Sequence, residues 1–255
     1  MTNHFAHIVR GSGPGLLLAH GGGGTIAGNF GPILDDLART HTVVGADYPG
    51  SGDTPRSTTP LELDAVADEL VAIATDAGLD SFAILGYSLG SAVAVRAATR
   101  HPGRVTALIL TAGFARQNNR MRLATDVWRT LLDGDRRLLA KFLTLVGTGE
   151  RHLESLSAEE LERAVDELAA FIPPGSPEHV DLVASADTRA ELAGIGVPAL
   201  VIATTLDGLV SPALSRELAA SIPGAELAEI EAGHNIAVEA RDDWLTTIEK
   251  FLGRS

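Results

Sequence analysis

The sequence predicts an α/β fold in which helices cover both faces of a mostly parallel sheet. Short β-like runs alternate with helical patterns from the start of the chain, which is typical of right-handed βαβ units. Several of these runs are almost continuously apolar, as strands buried on both faces should be. The 255 residues, 45% hydrophobic and 21% charged, are also enough to bury a large core.

The predicted strands are short runs bounded by turn-forming residues. In chain order they lie near residues 5–10, 15–20, 42–47, 81–86, 105–111, 199–204 and 226–231. Helices are predicted in the intervals that follow residues 59, 90, 211 and 240, where apolar residues recur at helical spacing. The run Thr59-Pro60-Leu61-Glu62 has the pattern of a capping box, and it is predicted to start the first of these helices.

The alternation of strand and helix patterns stops between Phe114 and Gly194. This stretch predicts helices around residues 120–132, 136–146 and 159–171, the last after a second capping box at Ser157. The proline-rich run 173–177 then predicts a break. Because a strand pattern resumes at Ala199, residues 114–194 are interpreted as a helical insertion over the sheet. Residues 1–113 and 195–255 form the predicted core.

The composition narrows the classes of function. A net charge of −13 disfavours a nucleic-acid or anionic-membrane surface, because such surfaces need clustered lysine and arginine. The chain has no cysteine, which excludes disulfides, thiolate metal sites and a cysteine nucleophile. Residues 1–7 lack a signal-peptide pattern, and no apolar stretch reaches the roughly 18 residues that span a bilayer. We expect a soluble cytoplasmic protein.

The candidate nucleophile is Ser88, at the centre of the pentapeptide Gly86-Tyr87-Ser88-Leu89-Gly90. An apolar strand-like run precedes the pentapeptide, and a run rich in alanine and valine follows it. A strand that turns sharply into a helix exposes its central serine and leaves the flanking glycines to relieve crowding. The free N–H groups at the start of that helix point to where an oxyanion would form. The pattern therefore predicts acyl chemistry.

His234 is the candidate general base, since a serine hydroxyl needs one. It lies just after the last predicted strand, at the carboxyl edge where α/β sheets gather their sites. His20 is expected to shape the adjoining glycine loop, and His101 to sit at a helix end. The remaining histidines are expected at termini, strand starts or helical surfaces; they are His4, His7, His41, His152 and His179.

Asp207 is the candidate for the acid that orients His234. It follows a long apolar run and precedes Gly208, which suits a turn at the same edge of the sheet. The competing position, after the strand at 105–111, carries no acid. Asp47 also follows a strand, but it opens a glycine-rich loop where aspartate usually caps the backbone. Asp47 is therefore the second choice.

The expected oxyanion donors are the backbone N–H groups of Leu89 and Gly22. Leu89 follows the nucleophile, and Gly22 lies in the run His20-Gly21-Gly22-Gly23-Gly24. Glycines let a backbone N–H approach a substrate without an intervening Cβ. A phosphate-binding loop is disfavoured, because no Gly-Lys-Ser/Thr follows and the spacing does not fit G-x-G-x-x-G.

With Ser88, Asp207 and His234 in this order, the chain resembles the α/β-hydrolase superfamily, in particular its small capped serine esterases and cofactor-free haloperoxidase-like members. The resemblance implies an α/β-hydrolase sheet of about seven to eight strands with helices on both faces and a helical cap formed by residues 114–194. It implies no metal and no organic cofactor. The chain departs from the usual pattern in having room for about one strand before the glycine-loop strand. Ser88, in place of an aspartate, disfavours dehalogenase and epoxide-hydrolase functions.

The cap offers candidate residues for an apolar substrate pocket, whose alternative role is to pack the cap onto the sheet. The substrate-binding candidates are Met121, Trp128, Phe142 and Leu145. Because only 4% of residues are aromatic, an aliphatic pocket is favoured over an aromatic cage. The expected partner is a small ester-like molecule with an apolar acyl part, and the sequence leaves the oligomeric state open.

The predicted function is hydrolysis of a carboxylic ester, lactone or thioester through an acyl-Ser88 intermediate. One alternative keeps the three catalytic candidates but changes the outcome, as in perhydrolases, haloperoxidase-like enzymes, acyltransferases, cyclases and carbon–carbon hydrolases. Another is a ligand-binding protein without catalysis on the same fold.

Overall fold

The computed structural model describes residues 4–254 and contains one seven-stranded sheet with the strand order β1-β3-β2-β4-β5-β6-β7. The strands are β1 (His7–Arg10), β2 (Gly15–Ala19), β3 (Thr42–Ala46), β4 (Phe82–Tyr87), β5 (Val105–Thr111), β6 (Ala199–Thr204) and β7 (Glu226–Ile230). β1 pairs antiparallel with β3, and all other pairings are parallel. The α/β fold with a mostly parallel sheet is confirmed. Among residues 4–254, one strand precedes β2, which agrees with the expectation of room for about one.

Helices pack on both faces of this sheet. They are α1 (Ile26–Leu37), α2 (Leu63–Asp76), α3 (Leu89–Arg100), α4 (Asn119–Leu131), α5 (Arg136–Gly147), α6 (Glu150–Ser155), α7 (Ala158–Phe171), α8 (Ser176–Ser185), α9 (Pro212–Ser221), α10 (Ile236–Glu239) and α11 (Arg241–Leu252). No helix within residues 4–254 is both long and apolar enough to cross a membrane.

Two hydrophobic clusters lie on opposite faces of the sheet, because neighbouring strand residues point to opposite sides. On β2, Leu17 belongs to the cluster that includes α2, α3 and α9. Its neighbours Leu16 and Leu18 belong to the cluster that includes α1 and α11. Trp244 of α11 is fully buried and donates its indole N–H to Thr111 Oγ1 at 3.0 Å. The central strands are therefore covered on both sides.

Helices α4–α8 lie between β5 and β6 and have a small hydrophobic cluster of their own. Its buried members are Trp128, Leu139, Ile172 and Val180. The two ends of this insertion are paired, since Thr188 N–H donates to Ala115 O at 2.9 Å and Arg116 forms a bridge with Asp187. The insertion therefore leaves the core and returns to it at one place.

The two predicted capping boxes have different outcomes. The Ser157 box is confirmed: its hydroxyl accepts from Glu160 N–H, and the Glu160 carboxylate accepts from Ser157 N–H. The prediction that Thr59 starts a capping box is wrong, because α2 begins at Leu63 and its N-cap residue is Glu62. Thr59 belongs instead to a local turn, in which its backbone N–H and C=O both bond to the Ser57 hydroxyl.

Candidate active site

Ser88 lies in the sharp turn between β4 and α3. Its backbone angles are φ 55° and ψ −119°, in a region that residues other than glycine rarely adopt. The flanking glycines make the turn possible. A Cβ at Gly90 would lie 1.9 Å from Ala19 O, and one at Gly86 would lie 2.4 Å from Gly90 O. The turn places the Ser88 hydroxyl at the N-terminus of α3, whose dipole favours negative charge.

The structure brings the side chains of Ser88, His234 and Asp207 into one hydrogen-bonded chain. His234 Nε2 is 3.0 Å from Ser88 Oγ, and His234 Nδ1 is 2.6 Å from Asp207 Oδ2. With its proton on Nδ1, the ring donates to the carboxylate and leaves Nε2 free to accept from the serine hydroxyl. This is the arrangement in which a histidine can take the proton of a serine nucleophile.

Asp207 is held by hydrogen bonds on all sides of its fully buried carboxylate. Oδ1 accepts from the backbone N–H groups of Leu209 and Val210, each at 2.8 Å. Oδ2 accepts from Thr204 Oγ1 at 2.9 Å in addition to His234. The turn that follows β6 therefore fixes the carboxylate in the orientation that meets the imidazole.

The loop that carries His234 is fixed by residues that sequence reasoning did not single out. The Tyr87 hydroxyl donates to His234 O. Burial raises the pKa of Tyr87 well above its ordinary value, so this hydroxyl stays protonated and remains a donor. The Glu239 carboxylate accepts from the N–H groups of Gly233 and Gly149, at 2.8 and 3.1 Å. Glu239 therefore links the histidine loop to the turn between α5 and α6.

The glycine loop after β2 lies beside Ser88, since a Cβ on Gly21 would lie 3.2 Å from Ser88 Cβ. In the part of the chain that the structure describes, the N–H groups of Gly22 and Leu89 have no protein acceptor. The Gly22 and Leu89 positions adjoin, because a Cβ on Gly22 would lie 3.6 Å from Leu89 Cδ2. Both predicted oxyanion donors are thus free to bind a ligand.

His20 and Asp47 make structural contacts next to this loop. The buried ring of His20 donates from Nδ1 to Gly21 O at 2.7 Å and accepts from Tyr48 N–H at 2.9 Å. Burial lowers the pKa of His20 to about 3, so the ring is neutral. Asp47 Oδ1 accepts from Ile26 N–H, the first residue of α1, at 2.7 Å. Asp47 therefore stabilises the start of a helix.

The expectation for His179 is wrong, because its side chain is fully buried instead of lying on a helical surface. It accepts from Gly23 N–H at 3.0 Å and lies 3.0 Å from Pro49 O. The sequence signal that marks this burial is Val180, Leu182 and Val183, three apolar neighbours on α8. The sequence did not predict α8 itself, because the proline-rich run 173–177 extends into its first turn.

The four substrate-binding candidates lie in different environments. Met121 and Trp128 are buried, Phe142 is half-buried, and Leu145 is 69% exposed. Trp128 packs on the glycine loop, since a Cβ on Gly23 would lie 2.7 Å from its Cζ2 atom. Trp128 thus packs directly on the glycine loop, and the pocket role of all four residues remains a prediction.

Comparison with known proteins agrees with this geometry. A family model described as the alpha/beta hydrolase fold matches residues 14–240. The chain belongs to the α/β-hydrolase fold family. The resemblance drawn from its motifs is therefore confirmed.

Three similar proteins illustrate this α/β hydrolase's place in the family. The pyrrolizixenacetamide deacetylase of Xenorhabdus hominickii is 29% identical over 97% of this chain and 94% of its own. A pimeloyl-acyl-carrier protein methyl ester esterase of Stenotrophomonas maltophilia is 31% identical over 96% of each chain. The crystal structure of the enol-lactonase from Burkholderia xenovorans has a TM-score of 0.85 at 24% identity, over 97% of this chain and 96% of its own, and shows the shared fold. At the family level, the two sequence relatives support ester hydrolysis.

Proposed function

We propose that this α/β hydrolase is a serine hydrolase that cleaves a carboxylic ester, lactone or thioester through an acyl-Ser88 intermediate. The observation that carries the proposal is the unbroken chain of hydrogen bonds from Ser88 Oγ through the His234 ring to Asp207. The similarity to a methyl ester esterase and to a deacetylase supports a reaction at an acyl carbon.

Acylation begins when Ser88 Oγ attacks the carbonyl carbon of the substrate and His234 Nε2 takes the hydroxyl proton. Asp207 holds the ring by the 2.6 Å bond and stabilises the imidazolium that forms. The carbonyl oxygen becomes an oxyanion, which accepts from the N–H groups of Gly22 and Leu89. The tetrahedral intermediate then breaks its bond to the alcohol or thiol, which leaves with the proton from His234.

Deacylation repeats these steps with water as the nucleophile. His234 Nε2 takes a proton from a water molecule as its oxygen attacks the acyl carbon. The second oxyanion uses the same two N–H donors. When it collapses, the bond to Ser88 Oγ breaks, the serine regains the proton from His234, and the carboxylic acid is released.

We assign residues 114–194 the role of a cap over Ser88. Two contacts support this role. The turn between α5 and α6 adjoins the histidine loop, since Asn235 N–H donates to Gly147 O at 3.1 Å. Trp128 of α4 packs on the glycine loop. In this proposal, Met121, Trp128, Phe142 and Leu145 bind the apolar acyl part of a small ester-like substrate.

The test is hydrolysis of a panel of p-nitrophenyl esters of increasing acyl length by wild type and Ser88→Ala. We expect Ser88→Ala to lose activity by a factor of about 10⁵–10⁶ on each ester that the wild type cleaves, because the nucleophile is removed. Its melting temperature should stay close to that of the wild type. The matched control is Ser221→Ala, an exposed serine on α9, which should keep full activity. Turnover retained by Ser88→Ala would refute the acyl-Ser88 mechanism.

A further inference from the structure

In the glycine loop, residues 21–24, all backbone N–H groups but one donate hydrogen bonds within the protein. Gly21 N–H donates to Asn29 Oδ1 at 2.8 Å, Gly23 N–H to His179 Nδ1 at 3.0 Å, and Gly24 N–H to Gly21 O at 3.2 Å. Within residues 4–254, only the N–H of Gly22 lacks a protein acceptor among these four. The loop therefore offers a single donor to a ligand.

The peptide planes on either side of Gly22 are both anchored. Gly21 C=O accepts from His20 Nδ1 and from Gly24 N–H, so the plane that contains Gly22 N–H is fixed on its carbonyl side. In a trans peptide, the N–H points away from the C=O, which turns the Gly22 donor away from His20. The next plane carries Gly23 N–H, and its anchor is the ring of His179.

His179 belongs to α8, within the insertion between β5 and β6, and it joins three segments. Its Nδ1 accepts from Gly23 N–H, so the ring proton lies on Nε2, which donates to Pro49 O at 3.0 Å. Burial lowers the pKa of His179, which keeps the ring neutral and Nδ1 able to accept. One turn further along α8, Val183 Cγ2 lies 3.0 Å from where a Cβ of Gly22 would be. One face of α8 thus packs directly on the glycine loop.

We propose that His179 is a positioning residue, through which helix α8 holds the Gly22 N–H in the orientation that stabilises an oxyanion. The inference rests on the proposed acyl-Ser88 reaction. It assigns the insertion a part in the chemistry itself, beyond forming a substrate pocket. Without the His179 acceptor, the peptide between Gly22 and Gly23 can rotate, because glycine has little resistance to changes of ψ. Such a rotation displaces Gly24, whose N–H anchors Gly21 C=O and thereby the peptide plane that contains the Gly22 N–H.

The expected loss is smaller than that caused by removing a donor. Loss of an oxyanion donor costs about 10²–10³ in kcat, and a misplacement of about 1 Å costs up to about 10². We expect His179→Leu to lower kcat about 10- to 100-fold on p-nitrophenyl acetate, with KM changed less than about threefold. His179→Asn should recover part of this loss, since its Oδ1 can take the place of Nδ1 as an acceptor.

Inhibition by an aryl trifluoromethyl ketone separates positioning from a general effect on the fold. Its serine adduct carries an oxyanion, so its inhibition constant should rise in His179→Leu by the same factor as kcat falls. The control is Val180→Ala, which truncates the neighbouring buried residue of α8 and leaves the His179 acceptor in place. Val180→Ala should lower the melting temperature and leave both constants within about twofold of the wild type.

The outcomes distinguish this inference from the function on which it rests. If wild type neither cleaves the ester nor binds the ketone, the proposed function fails and the inference fails with it. If wild type is active and both His179 variants have wild-type kcat and inhibition constants, only the inference is overturned. If His179→Leu does not fold, the same measurements are made on His179→Ala. A wild-type inhibition constant in His179→Ala overturns the inference. A loss of kcat in Val180→Ala as large as that in His179→Ala also overturns it.

Discussion

Single hydrogen bonds decide whether His234 can act as a base. Its ring lies between Ser88 and Asp207, and its backbone carbonyl accepts from the Tyr87 hydroxyl. The bond to Asp207 has the further effect of keeping the ring proton on Nδ1. A substitution that keeps the shape of the Asp207 side chain but replaces one accepting oxygen by a hydrogen-bond donor is therefore the most specific test of this site.

Asp207→Asn should lower kcat by about 10²–10⁴ while the protein stays folded. The amide oxygen can still accept from Leu209 and Val210, but the NH₂ group then faces His234 Nδ1 and moves the ring proton to Nε2. Steady-state kinetics on the esters cleaved by the wild type measures this loss. Asp47→Asn is the matched control, and it should lower the melting temperature but keep kcat. If Asp47→Asn lost more kcat than Asp207→Asn, Asp47 would be the acid that orients His234.

The buried ring of His20 should make stability depend on pH. Its pKa is about 3 in the folded protein against an ordinary 6.5, so between these values the unfolded chain binds a proton that the folded chain does not. Stability is therefore complete above about pH 6.5 and falls on acidification, by about 2 kcal/mol between about pH 7 and about pH 5 for this one group.

Urea unfolding of the wild type and His20→Gln at several pH values checks this expectation. The difference in unfolding free energy between the two proteins should be largest near neutral pH and should decrease on acidification. The reason is that only the wild type has an imidazole at position 20, which takes up a proton when the chain unfolds. A gap between wild type and His20→Gln that does not change with pH would contradict a neutral buried ring.

At the scale of elements, the turn between β4 and α3 depends on two close backbone approaches. The tighter one is at Gly90, where a Cβ would lie 1.9 Å from Ala19 O. Neither backbone can move away easily, because β2 and β4 pair in parallel and β4 continues directly into α3. The turn that presents Ser88 is therefore specific for glycine at this position.

Gly90→Ala should destabilise the protein by about 3 kcal/mol or more, since the added methyl group overlaps a backbone carbonyl. The control is Gly31→Ala in the exposed face of α1, where a Cβ meets nothing within 4 Å. That change should stabilise the protein by about 0.5–1 kcal/mol, because alanine loses less backbone entropy than glycine in a helix. Chemical denaturation measures the change in unfolding free energy for both variants. Equal changes in Gly90→Ala and Gly31→Ala would contradict the close backbone approach at Gly90.

The elements that could be predicted from sequence are those with a clear period or end signal. The strands were predictable because buried parallel strands are continuous apolar runs. α1 was not, since Gly28, Gly31 and Pro32 lie inside it, and tertiary packing of residues such as Phe30 overrides their low helix propensity. α8 follows a run of prolines and glycine, where sequence patterns predict only a break.

The same limit applies to the candidate site. Ser88, His234 and Asp207 could be proposed from the sequence because strand ends of a parallel sheet meet at one edge. Their hydrogen bonds, and the role of Tyr87, Glu239 and His179 in fixing the loops around them, depend on contacts between distant segments. Those contacts follow from the packing of the insertion on the core, and this packing cannot be predicted from local sequence patterns.

At the scale of the whole molecule, the insertion α4–α8 contacts three loops of the candidate site, which carry Asp207, His234 and Gly22. Its helix α4 is bonded to the Asp207 turn through Arg120 Nε and Gly208 O at 3.1 Å. The α5–α6 turn is bonded to the histidine loop, and α8 to the glycine loop. Substrate selection and catalytic geometry should therefore both respond to changes in the insertion.

Trp128→Ala should shift the preference of the enzyme toward longer acyl chains, because it opens space beside Gly23 of the glycine loop. It should also cost about 3–5 kcal/mol of stability, since the indole is buried. The decisive quantity is the ratio of kcat/KM for long and short esters, which does not depend on the folded fraction. Leu138→Ala, at an exposed position of α5, is the control. A uniform loss on all esters with a lower melting temperature would leave Trp128 a packing residue only.

The central claim is that Ser88 is the nucleophile of an acyl-transfer reaction, and it is tested most directly by mapping the covalent adduct of a fluorophosphonate. Wild type is treated with the probe, digested, and analysed by peptide mass spectrometry. The account predicts a single adduct on Ser88 that forms much more slowly in His234→Ala and is absent in Ser88→Ala. An unmodified Ser88, or an adduct on another residue that persists in Ser88→Ala, would contradict it.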